Sequence, residues 1–66
     1  MREQIINSLE MHLTAQIEKH RLNVEVMLEN PRAIPEHTDY ITAIENELTH
    51  IAEYMDKLEA LETHFK

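Results

Sequence analysis

Asn30-Pro31-Arg32-Ala33-Ile34-Pro35 is the stretch that decides the fold of this chain. It holds both prolines of a 66-residue sequence that contains no glycine. Proline lacks the amide proton that a helix interior needs, and its ring keeps the preceding residue out of the α region, so a helix running into Asn30 stops there. On both sides of this stretch the apolar residues recur at helical spacing with no further breaker. The expectation is an all-α fold: an antiparallel two-helix hairpin with one helix over about residues 2–29, a corner over 30–38 and a second helix over about 38–65, together a single domain, 1–66.

Working back from the corner, Ile6, Leu9, Leu13, Ile17, Val24, Met27 and Leu28 fall within one arc of roughly 100° when plotted at about 100° per residue. That arc is the expected core face of the first helix. His20 lies near its centre, in the seven-residue gap between Ile17 and Val24, and Gln16 lies at its margin. A histidine there reads as a core group whose nitrogens are satisfied locally, in a polar layer that fixes register. Met11, Ala15, Leu22 and Val26 form a second, weaker stripe on nearly the opposite side. One hairpin seam cannot bury two faces, so this stripe is the expected interface with another chain.

Working forward, Tyr40, Ile44, Leu48, Ile51, Met55, Leu58 and Phe65 share a stripe, with Ile41 and Tyr54 at its edges. The expected seam of the hairpin is thus Ile6, Leu9, Leu13, Ile17, His20 and Val24 against Ile44, Leu48, Ile51, Met55 and Leu58. Pro35 suits a first helical position, and Thr38 or Asp39 suits a cap slightly later. Glu36 and Asp39 at one end, with His64 and Lys66 at the other, complement the helix dipole. Glu53 and Lys57 are spaced for an i, i+4 ion pair. In the corner itself, Arg32, Glu36 and His37 read as a structural connector.

Size and charge bound the function. A chain this short buries a small share of its surface, and a hairpin has no third element to cover the outer edges of its stripes, so self-association is expected. The favoured form is a four-helix bundle dimer, with a larger helical oligomer as the alternative. In size and plan such a dimer resembles the small plasmid-copy-control RNA-binding hairpins, with no motif in common. Thirteen acidic residues against six basic ones give a net charge of −7 with histidine neutral. That balance argues against a nucleic-acid or membrane partner and favours a basic one. There is no cysteine, hence no disulfide framework, and no long apolar run, so the expected location is the cytoplasm.

The chemistry-bearing patterns are few. Glu47 and His50 are spaced i, i+3, as in carboxylate-bridged di-iron bundles, and antiparallel folding about residues 34 and 35 brings His20 to their level. These three are the candidate metal ligands, although Glu18, which the dinuclear pattern would want facing inward, points away from the core arc. The leading expectation is no cofactor and no metal. Ser8 has no obvious histidine and carboxylate constellation, and a phosphate loop is not possible without glycine. The expected function is therefore that of a non-enzymatic interaction protein: an adaptor, inhibitor or assembly factor that forms homo-oligomers and engages a protein partner. The alternatives are an acidic decoy for a basic or nucleic-acid-binding protein, carried by Glu3, Glu10, Glu18, Glu25 and Glu29, and a carboxylate and histidine metal bundle.

Overall fold

The computed structural model describes residues 1–29 and 37–66, the side chains of His37 and Thr38 excepted. Helix α1 spans Arg2–Glu29 and helix α2 spans His37–Phe65, and the two pack against each other as an antiparallel hairpin. The observed ends fall on the expected ones, with α2 beginning one residue early. The expected roles of Pro35, Arg32 and Glu36, and of the His37 and Thr38 side chains, lie outside the described residues.

The helices are long because nothing interrupts them. At about 1.5 Å per residue, 28 and 29 residues give rods a little over 40 Å long, and the molecule measures 49 × 15 × 12 Å. Glu3 and Asp39 occupy the first turns, where each negative charge complements the positive end of the helix dipole, and His64 lies in the last turn of α2. No described residue has a cis peptide bond or a positive φ. Among the described residues no helix is long and apolar enough to cross a membrane.

At the open end two contacts tie the helices. Arg2 donates from Nη2 to the carbonyl of Phe65 at 2.8 Å, and Lys66 Nζ meets Glu10 Oε2 at 2.9 Å. On the outside of α1, Arg21 Nε reaches both oxygens of Glu18 at 2.9 and 2.8 Å, and its Nη1 reaches Glu25 at 3.4 Å. Lys57, spaced to pair with Glu53, instead sits 5.0 Å over the ring of Tyr54.

The seam departs from expectation on α2. The half-buried residues there are Tyr40, Ala43, Ile44, Glu47, Ile51, Tyr54, Leu58 and Leu61. Leu48 and Met55, expected in the seam, are 52% and 55% exposed, and Leu9 on α1 is 42% exposed. The apolar arc of α2 is wider than one neighbour can cover, and α1 meets its flank. The inner row Tyr40, Glu47, Tyr54 and Leu61 recurs every seven residues against α1; the outer row Ile41, Leu48 and Met55 recurs every seven residues facing away. The physical reason is His20. Setting Glu47 against a histidine buried on α1 leaves Leu48, the next residue and about 100° further round the helix, facing outward.

Burial is shallow as a result. Leu13 is the one buried apolar residue among those described, and His20 is the one buried polar residue, at 8% exposure.

Candidate functional site

His20 sits about two-thirds of the way along α1, on the same face as Leu13 two turns earlier. Opposite it, α2 presents Glu47, His50 and Tyr54, whose spacings of three and four place them on successive turns of one flank. Asn23, three residues after His20, completes the group.

Glu47 is the hub. His20 Nδ1 bonds its Oε2, and Asn23 Nδ2 donates to its Oε1 at 3.1 Å, so both carboxylate oxygens are engaged. The hydrogen bond from His20 is the largest influence holding the Glu47 carboxyl below its ordinary range; the Asn23 bond and the charges of His20 and His50 add to it, and partial burial opposes. An ionised carboxylate only accepts, so the Nδ1 of His20 carries the proton in this bond. The imidazole of His20 is also stacked, 4.6 Å from the His50 ring at 18° and 6.0 Å from the Tyr54 ring at 16°. The ring thus contacts two side chains of α2 while its Nδ1 is bonded to a third.

This arrangement unites the three candidate metal ligands at one level but not as a ligand set. Stacked imidazoles lie in nearly parallel planes, so their nitrogen lone pairs do not converge on one point, and the carboxylate oxygens are taken. Among the described residues no group of three or more His, Cys, Asp or Glu side chains is placed to hold a metal ion. Ser8 lies several turns away towards the open end of the hairpin. What the layer can do is fix register, because sliding one helix by a turn would strand a buried imidazole and a carboxylate without partners.

The expected interface residues Met11, Ala15, Leu22 and Val26 all lie on exposed surface, Met11 at 74%. A second apolar region lies at the open end, where Met1, Ile5, Ile6, Leu9, Leu61 and Phe65, with Arg2, line a shallow groove. Asn23 and Tyr54 belong to the layer; the apolar pattern places Tyr54 only at the edge of its stripe and passes over Asn23. Their signal is of another kind: each lies three or four residues from a polar group that the pattern does pick out, His20 or His50.

Fold and site together define a two-helix hairpin with a central polar layer and apolar outer faces. Comparison with protein-family models, with curated proteins and with solved structures gives no match.

Proposed function

We propose that this chain is a small acidic interaction protein without enzymatic activity, an adaptor, inhibitor or assembly factor that acts in the cytoplasm through its helical surfaces as a homo-oligomer, a dimer in its favoured form. One observation carries this reading: Leu13 is the sole buried apolar residue among those described, while eleven large apolar side chains are exposed. A hairpin so lightly packed gains most of its stability by covering those side chains with other chains. The polar layer supports a structural role because both carboxylate oxygens of Glu47 are engaged by side chains of α1, His20 and Asn23. The charge of −7 supports a protein partner over a phosphate backbone.

Sedimentation equilibrium tests the reading directly. The expected mass is a multiple of the 7.8 kDa chain, with a melting temperature that rises with protein concentration, as binding linkage requires. A monomer whose melting is independent of concentration overturns it. Stoichiometric iron, zinc or manganese in protein purified without a histidine tag would overturn it in favour of the metal bundle.

A further inference from the structure

We infer that a second copy of this chain covers the outer row of α2, Ile41, Leu48 and Met55, in an antiparallel α2 to α2 contact around a two-fold axis between residues 49 and 50. This rests on the proposed self-association and specifies its surface, symmetry and register.

The first argument is periodicity. Ile41, Leu48 and Met55 are 68%, 52% and 55% exposed, and Ile44, Ile51 and Leu58 beside them are only half-buried by α1. Read together these six positions alternate in steps of three and four, the spacing of a coiled-coil seam. Single exposed apolar residues need no explanation, but a continuous seam along most of a helix is a packing surface. The row Met11, Ala15, Leu22 and Val26 on α1 has the looser spacing of four, seven and four and is bordered by the ion pairs of Arg21 with Glu18 and Glu25.

The second argument is area. The chain exposes 5300 Å², whereas a compact monomer of its mass exposes about 4,400 Å² by the scaling of folded surface with size. The excess of about 900 Å² is close to the roughly 800 Å² per partner that a stable interface buries. The molecule thus carries about one interface of surplus surface, which an isologous dimer removes from both copies at once.

The third argument is charge, and it selects the direction. In parallel register Glu62, which takes the next seam position after Leu58, would meet its own counterpart in a dimer of two chains of charge −7. Antiparallel pairing instead sets Ile41 against Leu58 of the second copy, Ile44 against Met55 and Leu48 against Ile51. It carries Glu59 and Glu62 to the level where the α2 of the second copy begins.

Two measurements test this. In sedimentation equilibrium Leu48→Glu should shift the assembly to monomer at concentrations where wild type and Leu22→Glu remain associated. The reverse pattern, loss with Leu22→Glu and not with Leu48→Glu, overturns the inference while leaving self-association intact; a monomeric wild type overturns self-association itself. Because Leu48→Glu can unfold an obligate dimer, the second measurement uses folded protein. Spin labels are placed on single cysteines in this cysteine-free chain, at Glu45 and, separately, at Glu59. Their separation along the helix axis across the dimer should be about 13 Å for the first and about 28 Å for the second, at about 1.5 Å per residue. Equal separations at the two sites overturn the antiparallel contact.

Discussion

His20 of α1 donates to Glu47 of α2 across the middle of the hairpin, and the rotation of α2 follows from that bond. The histidine is one-tenth exposed and the carboxylate less than one-fifth, so neither group has bulk water as a ready alternative partner. A pair so placed fixes which face of α2 meets α1, and it also fixes which apolar residues are left outside.

A double-mutant cycle measures the pair. His20→Leu leaves the Glu47 carboxylate with Asn23 alone and should cost on the order of 1–3 kcal/mol, the range for removing one partner of a buried polar contact. Glu47→Leu should cost a similar amount by stranding the imidazole. The double variant should recover much of the loss, because replacing both partners with apolar groups is often close to neutral. Urea denaturation of the four proteins gives the coupling; additive losses would mean that the two side chains act independently.

The same contact gives stability a pH dependence of defined sign. Glu47 is held below its ordinary value of 4.5 in the folded state, so the unfolded chain binds the proton more tightly. The contribution is complete above that value and is lost as pH falls through the lower, folded one. Thermal melts should therefore show a loss below about pH 4.5 that Glu47→Gln removes in part. Glu18 is also held low by Arg21, but that pair is exposed, so raising the salt should suppress its contribution and leave that of Glu47.

The two helices are legible in the sequence because proline is a local signal and apolar periodicity is an averaged one. Pro31 stops α1 whatever the partner, and Ile6, Leu13, Ile17 and Val24 mark the core face of α1 without help from α2. The seam on α2 is less legible because periodicity weighs apolar character and ignores polar pairing. It counts Leu48 and Met55 into the arc, towards its Ile41 edge, whereas the hydrogen bond to His20 holds Glu47 at the interface. Antiparallel folding about the prolines does bring His20, Glu47 and His50 to one level, and the structure keeps them there. Whether such groups converge on an ion or stack depends on ring planes, which spacing does not encode. The stacking of His20 with His50 and with Tyr54 is therefore visible only in three dimensions.

Core and outer-row substitutions should behave differently. Leu13 is 7% exposed within a single hairpin, so Leu13→Ala should cost about 2–4 kcal/mol, in the range for deleting a buried leucine side chain. Leu48 is half exposed in the hairpin, so Leu48→Ala should act through association. Its effect on the melting temperature should grow or shrink with protein concentration, while the Leu13→Ala penalty to the hairpin persists across the series. A concentration-independent loss of similar size for both would place Leu48 inside the hairpin seam.

Tyr40 begins the inner row of α2, and its hydroxyl oxygen is buried with no hydrogen-bond partner among the described residues. Burying a hydroxyl without a partner costs free energy, and phenylalanine fills nearly the same volume without that group. Tyr40→Phe should thus be neutral or stabilising by up to about 1 kcal/mol, unlike most substitutions at half-buried positions. Tyr54→Phe is the matched control, since the Tyr54 ring stacks on His20 and lies under Lys57 and phenylalanine retains both contacts. Urea midpoints for the two variants decide the point. A loss of more than 1 kcal/mol from Tyr40→Phe would mean that the hydroxyl has a partner in solution, and an associated second chain would be the place to look for it.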